Sequence, residues 1–392
     1  MSRIEYKNSG IFWQPFIPKS WHVTRLKYIL KKLSREKGAD DELLVCSNSG
    51  DIKKRGDSRL GLVANSNDIY QGVRSGDLLI HGMDTWHGAI AVSKFDGMCT
   101  PVVHVCDSSQ NKEYVATYLR NMASQQIFKL ISNGVRQNTS DFRSWDKLSR
   151  IPIPLPPLVE QEKIVSYLED KTSKIDEVIL AKEKQIKLLQ ELKDAEIANV
   201  ITRGLNPDVK MKRYDSLLSS ECPEHWCITR NKSFMSLVGE KVGRQSVSYT
   251  LLSLTTKGVI IRDVESGKGK FPKDFDTYQI VQRGELVFCL FDIDETPRTV
   301  GIVETGGMVT GAYTVLRVNE KYAIPEYVYY YYLCVDNIKA LKPYYSGLRK
   351  TVRADKFLQL YIPVPSVEEQ RTIIAYIENK NNKIEALVKN LE

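Results

Sequence analysis

Pro154-Leu155-Pro156, followed by Glu160-Gln161, decides how the rest of this chain is read, because the phrase returns as Pro363-Val364-Pro365 followed by Glu369-Gln370. The match runs on. Ile164, Tyr167-Leu168-Glu169, Lys171 and Lys174-Ile175-Asp176 return as Ile373, Tyr376-Ile377-Glu378, Lys380 and Lys383-Ile384-Glu385, each displaced by 209 positions (154 to 363). Upstream, Pro18, Trp21, Thr24-Arg25 and Lys27 return as Pro223, Trp226, Thr229-Arg230 and Lys232. Gly76-Asp77-Leu78 matches Gly284-Glu285-Leu286, and Glu113-Tyr114-Val115 matches Glu326-Tyr327-Val328. The offset drifts between these anchors, as it does when surface loops change length around a constant framework. Residues 1 to about 205 and about 206 to 392 are therefore two copies of one unit.

A chain of 392 residues with 42% hydrophobic content fills two ordinary cores. No run of eighteen apolar residues is present, and Met1-Ser2-Arg3-Ile4-Glu5 lacks a secretory core, so the reading is a cytoplasmic protein with no membrane partner. Seven cysteines without framework spacing fit a reducing compartment in which cysteine serves as a small hydrophobe. Lys+Arg 56 against Asp+Glu 48 gives a net charge of +8, with a pI near 8.9; this mild excess suits a polyanionic partner.

Each copy reads as a short amphipathic helix after the tryptophan (Leu26, Ile29, Leu30, Leu33), then short strands between Gly and Asp turns, such as Gly76 to Ile80 and Val102 to Val105. A helix over Glu113 to Leu130 follows, and Ile151-Pro152-Ile153-Pro154-Leu155-Pro156-Pro157 sets a sharp boundary. From Leu158 to about Arg203 no proline or glycine intervenes. Ile164, Leu168, Ile175, Ile179, Ile186 and Leu189 form one stripe at near-heptad spacing, and the second copy repeats it at Ile373, Ile377, Ile384 and Val388. Two matched stripes predict that the helices pair with each other, antiparallel. The fold class is α/β, with two tandem α/β domains separated by long antiparallel coiled-coil helices and an internal pseudo-twofold repeat. A helix of about 45 residues extends ~70 Å, enough to span major-groove faces that recur every ~34 Å of duplex.

The chain lacks the residues of a catalyst. A glycine-rich cofactor loop and an Asn/Asp-Pro-Pro-aromatic stretch are missing, and Gly267-Lys268-Gly269-Lys270 does not have phosphate-loop spacing. Pro207-Asp208-Val209-Lys210 lacks the second acidic residue of a nuclease motif. Cys222, His225 and Cys227 have no fourth ligand, and the other copy has Ile17, Ser20 and His22 there. His81, His87 and His104 stand without a nucleophile pattern.

The chain resembles the specificity subunit of type I restriction-modification enzymes. The resemblance covers both copies and is carried by Ile17-Pro18-Lys19-Ser20-Trp21, Pro154-Leu155-Pro156-Pro157-Leu158-Val159-Glu160-Gln161, Arg203-Gly204-Leu205-Asn206-Pro207-Asp208-Val209-Lys210-Met211-Lys212, and Leu251-Leu252-Ser253-Leu254-Thr255-Thr256-Lys257-Gly258-Val259-Ile260. It implies a target-recognition domain over residues 1–157, a spacer helix over 158–205, a second recognition domain over 206–365 and a second spacer helix over 366–392. Each domain would read one half of a bipartite double-stranded DNA target. The helices would dock two methyltransferase subunits, which bring S-adenosylmethionine; motor-nuclease subunits, joined through them, would bring ATP. The chain itself would carry no cofactor and no metal. The second helix ends at Glu392, without a counterpart to Leu188 through Gly204. A recognition module cut from a fused nuclease-methyltransferase, or a coiled-coil scaffold without a nucleic-acid role, are the competing readings.

Features shared by both copies suit scaffold or phosphate contacts, whereas features that differ must carry any difference in the sequence read. Gly134-Val135-Arg136-Gln137, with Asn138, and Gly347-Leu348-Arg349-Lys350, with Arg353, recur before each proline boundary. Glycine there allows a tight turn presenting Arg to phosphate or guanine. Among the differences, Lys53-Lys54-Arg55 faces Ile261-Arg262-Asp263, and Trp86-His87 has no aromatic counterpart near Glu295-Thr296-Pro297. Arg143, Lys241, Arg244, Gln245 and Arg298 complete the DNA-contact candidates, while Trp21 and Trp226 are expected to pack. The first expected outcome is that the purified chain, free of partner subunits, transfers no methyl group from S-adenosylmethionine to DNA and does not cut it; radiolabelled methyl incorporation by the chain alone would refute this.

Overall fold

Short apolar runs between Gly and Asp turns, written twice, become two sets of short strands with the same pairing. The computed structural model describes residues 4–56, 69–132, 142–262, 275–347 and 350–392. It packs as two units, Met1–Glu177 and Val178–Glu392.

In the first unit β1 (Tyr6–Ile11) and β2 (Gln14–Pro18) form a hairpin, followed by β3 (His22–Arg25), the four-residue helix α1 (Leu26–Ile29) and β4 (Leu30–Lys32). The strands β5 (Leu44–Cys46) and β6 (Ile52–Lys54) make a second hairpin. Next come β7 (Gln71–Val73), β8 (Leu78–His81), β9 (Ile90–Val92), β10 (Gly97–Cys99) and β11 (Val103–Ser108), then α2 (Lys112–Ser124), α3 (Ile127–Ile131), α4 (Trp145–Ser149) and β12 (Pro152–Leu155). The main sheet has the order β4-β11-β8-β9, β7 pairs with β10, and β12 closes on β3. The long helix α5 (Leu158–Arg203) follows.

The second unit repeats this pairing. It contains β13 (Met211–Arg213), β14 (Glu221–Pro223), β15 (Cys227–Arg230), β16 (Met235–Val238), β17 (Leu252–Thr255), β18 (Gly258–Ile261), β19 (Gln279–Val281), β20 (Leu286–Phe288), β21 (Val300–Ile302), β22 (Gly307–Val309) and β23 (Thr314–Val318), then α6 (Pro325–Asn337), α7 (Ala354–Gln359), β24 (Tyr361–Val364) and α8 (Val367–Leu391). Its main sheet is β16-β23-β20-β21, β19 pairs with β22, β17 with β18, and β24 closes on β15.

Both main sheets are buried on two faces, so alternate residues enter different cores. Leu78 and Ile80 of β8 join α2 residues Val115 and Leu119, whereas Leu79 joins Val73, Cys99 and Val105. In the second unit Leu286 and Phe288 face Tyr327 and Tyr331 of α6, and Val287 faces Val281 and Val309. Burial pushes the thiols of Cys46, Cys99 and Cys106 up to about 12, as suits small hydrophobes.

The repeated Glu-Gln phrase has a structural use. Gln161 is fully buried, accepts from the Asn111 backbone N–H (3.0 Å) and donates to the Pro156 carbonyl (2.8 Å) and Gln110 Oε1 (2.9 Å). Gln370 is also fully buried, accepts from Ile324 N–H (2.7 Å) and donates to the carbonyls of Pro365 (2.9 Å) and Tyr322 (3.2 Å). Each amide therefore ties the proline strand, the start of α2 or α6 and the first turn of a long helix. Ser366 caps α8 by accepting from Glu369 N–H at 3.3 Å, which begins a Ser-x-x-Glu capping sequence.

Three expectations need correction. The helix after Trp21 stops at Ile29, and Leu30 enters β4, because the β11 backbone offers it a strand ladder. The helix expected over Glu113 to Leu130 is broken at Gln126, whose left-handed φ of 60° separates α2 from α3 and lets Ile127 and Phe128 reach the core. The two apolar stripes do not pair throughout. The described contacts of α8 reach α5 from Lys182 onward, antiparallel as expected: Lys182 Nζ donates to Leu391 O (2.8 Å), Lys193 pairs with Glu385 (3.1 Å), and Glu196 meets Tyr376 and Lys380. Leu168, Ile175 and Ile179 stay exposed, while Ile373, Ile377 and Ile384 are buried.

Replacing Gln370 by leucine removes the partner of the Ile324 N–H and of the Pro365 and Tyr322 carbonyls, at about 1 to 3 kcal/mol for each group left buried and not rescued by water. The second unit is expected to lose about 2 to 4 kcal/mol in urea denaturation, with fast hydrogen exchange at Ile324; an unchanged midpoint would show that the amide is not a tie.

Candidate nucleic-acid interface

The shared turns are scaffold. Gly76 (φ +87°) and Gly284 (φ +86°) hold identical turns. The following acid caps each turn: Asp77 accepts from Arg74 N–H and Glu285 from Gln282 N–H, both at 2.8 Å. Each buried carboxylate is also paired, Asp77 with Arg35 and Glu285 with Arg317 (2.6 Å). These two arginines are held in place and are not presented to a ligand.

The β5–β6 hairpin differs between the copies. Leu44 lies opposite Lys54 and Val45 opposite Lys53, whereas Leu252 lies opposite Ile261 and Ser253 opposite Ile260. The Arg55 N–H donates to Leu43 O and the Arg262 N–H to Leu251 O, both at 2.9 Å. The true correspondence is thus Lys53-Lys54-Arg55 with Ile260-Ile261-Arg262, one residue away from the sequence alignment, because the backbone ladder and not residue identity sets register. The arginine is common, and a lysine pair is exchanged for an isoleucine pair on one hairpin. Lys54 pairs with Glu42 (2.5 Å) and lies over the Phe95 ring (5.7 Å); Lys53 is exposed.

Trp86, in a single 3-10 turn from Thr85 to His87, packs on the α2-side core, with Lys129 Nζ 5.9 Å from its ring. Trp226 is buried, and Trp21 is half-buried. Arg143 is exposed, and its backbone lies against Gly82, where an added Cβ would come within 2.9 Å of the Arg143 Cα. The buried His104 Nε2 meets the Phe142 carbonyl at 2.8 Å, and desolvation lowers the pKa of this imidazole. His104 therefore anchors the chain at Phe142. The sequence carries no signal for this, because its partner is a backbone atom. Arg136, Gln137, Asn138 and Arg349 lie outside the described residues.

In the second unit Lys241 is exposed on a bridge to Gln279, and Arg244 and Gln245 are exposed on the 3-10 turn Gly243–Ser248. Arg298 is held instead: it lies 4.0 Å from the buried Asp336, which accepts from Thr299 Oγ1 (2.6 Å) and pairs with Lys339 (2.7 Å). Lys350 pairs with Asp294 at 3.4 Å, and Lys342 first, then Tyr345 and Lys350, hold that carboxyl below its ordinary range. Arg353 clasps Asp355 with two hydrogen bonds, 2.9 and 3.2 Å. His225 pairs with Glu369 (2.9 Å), Cys222 is buried and Cys227 is exposed, so the Cys-His-Cys spacing converges on no common point.

Residues 88–190, from β9 into the first half of α5, match the family described as the type I restriction modification DNA specificity domain. The type I restriction enzyme MjaVIII specificity subunit of Methanocaldococcus jannaschii is 22% identical over 94% of this chain and 88% of its own length. Over nearly its whole length the chain is thus similar to a specificity subunit of a type I restriction enzyme. Another specificity subunit of that organism, MjaX, is 24% identical over 57% of this chain, and the match spans about half, 55%, of that relative. A solved structure described as the basis of complex assembly and conformational transition of the type I R-M system covers 95% of this chain and 93% of its own, at 15% identity and a TM-score of 0.65, and so shares the fold.

For binding to a polyanion, the surface cations for which no ion pair is described are the informative ones. Lys53→Glu, at an exposed cation for which no ion pair is described, is expected to weaken duplex binding and to lower the slope of log K against log salt by about 1. Lys350→Ala, at a cation already facing Asp294, should change the slope less; fluorescence anisotropy at four salt concentrations reads both.

Proposed function

We propose that the chain is the sequence-reading, non-catalytic subunit of a type I restriction-modification complex working in the cytoplasm, each unit reading one half of a bipartite double-stranded DNA target. The helices α5 and α8 set the unread spacer and dock two methyltransferase subunits, through which motor-nuclease subunits join. S-adenosylmethionine and ATP chemistry then belong to the partners, in an assembly that methylates and cleaves DNA. The division into recognition domains 1–157 and 206–365 and spacer helices 158–205 and 366–392 is part of this reading.

The observation that carries it is one strand topology occurring twice with chemically different surface hairpins, Lys53-Lys54 against Ile260-Ile261. Two frameworks with different surfaces suit two different half-sites. Base and phosphate contacts are assigned to Lys53, Lys54, Arg55, Trp86, Arg136, Gln137, Asn138 and Arg143 in the first copy, and to Lys241, Arg244, Gln245, Arg298, Lys350, Arg353 and Arg349 in the second. Among them Lys53, Arg143, Lys241 and Arg244 have exposed side chains for which no ion pair is described.

Exchanging residues 227–355 for the matching segment of a relative leaves Trp226, β24 and α8 in place. With separate cores, such changes add independently. Only one half of the methylated motif should change when the chain is expressed with its methyltransferase partner and methylated bases are mapped. A change in both halves would show that one composite surface reads the site.

A further inference from the structure

The loop that leads into β5, and its counterpart leading into β17, have the same two ends. At the start Gly72 N–H donates to Arg35 O (3.0 Å) and Ile280 N–H to Glu240 O (2.9 Å). At the finish Met98 N–H donates to Glu42 O and Met308 N–H to Thr250 O, both at 2.8 Å. An added Cβ at Gly97 or Gly307 would collide with these last two carbonyls, so the ends are closely held. Between them the first unit has residues 36–41 and the second residues 241–249, three more.

The chemistry of the loop inverts as well. In the first unit Glu36-Lys37-Gly38-Ala39-Asp40-Asp41, followed by Glu42, is acidic. Its acids serve the unit itself: Asp41 accepts from Gly38 N–H (2.7 Å) and pairs with Arg74 (3.4 Å), and Glu42 pairs with Lys54 (2.5 Å). The second unit's Lys241-Val242-Gly243-Arg244-Gln245-Ser246-Val247-Ser248-Tyr249 contains no acid. It is anchored from below, with Val242 buried against Leu251 and Met308 and Tyr249 packed beside them. Val242 N–H donates to Tyr278 O (2.9 Å) and Gly243 N–H to Asp276 O (3.2 Å). On this platform Arg244, Gln245 and Val247 are exposed, Val247 at 97%, so the core gains nothing from its side chain. The hairpin that follows has Ile260-Ile261 where the first unit has Lys53-Lys54. The polar groups of the second unit have moved from the hairpin to the turn before it.

We propose that the Gly243–Ser248 turn is the base-reading element of the second unit, and that Gln245 and Val247 recognise one A·T pair in the major groove. A carboxamide and an aliphatic group two positions apart complement that pair. The amide of Gln245 accepts from adenine N6–H and donates to N7, and the Val247 methyls lie against the C5-methyl of the thymine. Arg244 holds the adjacent phosphate, as a cation with no described ion pair can. The proposal rests on the second unit's reading of DNA and adds where and what it reads.

The experiment maps methylated motifs for the full chain expressed with its methyltransferase partner, and measures binding to duplexes varied at each pair of the second half-site. Gln245→Ala is expected to lower the preference for A·T at one position by about tenfold, leaving the other half-site unchanged. Gln245→Glu, which keeps the shape, should turn that preference toward cytosine, whose N4 amino group donates to a carboxylate. Deoxyuridine in place of the thymine removes its methyl group. It should weaken the unaltered chain about fourfold and leave Val247→Ala unaffected, since the two changes remove the same contact. A motif unaltered by Gln245→Glu overturns the proposal alone. So does an even loss of affinity across all sequences, which would make the turn a phosphate contact. A chain that yields no bipartite methylated motif even when unaltered overturns the underlying reading, and this proposal with it.

Discussion

A primary amide has one acceptor and two donors, and the architecture of each unit depends on a buried one. Gln161 and Gln370 use both ends at once, accepting from the backbone at the start of α2 or α6 and donating to a proline carbonyl five residues back. A glutamate would set a negative oxygen against that carbonyl, and a leucine would leave buried backbone groups unpaired. Proline adds its own restriction, since β12 and β24 cannot continue as helix through Pro152, Pro154 or Pro363. Together these fix where each long helix starts and in which direction it leaves its unit.

Around this tie the framework tolerates substitution of partners as long as charge is satisfied. The buried acid after the glycine turn is Asp77 with Arg35 in one unit and Glu285 with Arg317 in the other; Arg35 lies in the loop after β4, whereas Arg317 lies on β23. A buried carboxylate requires a cation, whichever element supplies it. The two cores on either side of each main sheet accept different apolar sets for the same reason: the alternation is obligatory and the identities are not.

What was legible in the sequence was whatever had a period or a repeat. The 46-residue α5, the proline boundary and the doubling all follow from spacing. The three- and four-residue strands have too few residues for a period, so the ladder from β11 to β4 turned Leu30 into a strand residue and a backbone register moved Lys53 opposite Val45 and into correspondence with Ile260. For the candidate site, Arg298 reads in sequence as a loop cation; its proximity to Asp336, 38 residues away, exists only in three dimensions. His104 shows no partner in the sequence because that partner is the carbonyl of Phe142. Its role as an anchor therefore has no sequence pattern to display.

Net charge, finally, is a poor measure of what this surface offers to a polyanion. Of the basic side chains considered, Arg35, Arg317, Lys339 and Lys350 already face carboxylates. Such cations release few counterions on meeting phosphate, so the formal +8 does not translate into a salt slope. The distinction falls unevenly on the two copies. The β5–β6 hairpin carries a lysine pair, of which Lys54 already faces Glu42, whereas Ile260 and Ile261 on β17–β18, 42% and 61% exposed, offer only apolar contact. One framework, kept by its glutamine tie and its doubly buried sheet, thus carries chemically opposite surfaces at the same place in the fold.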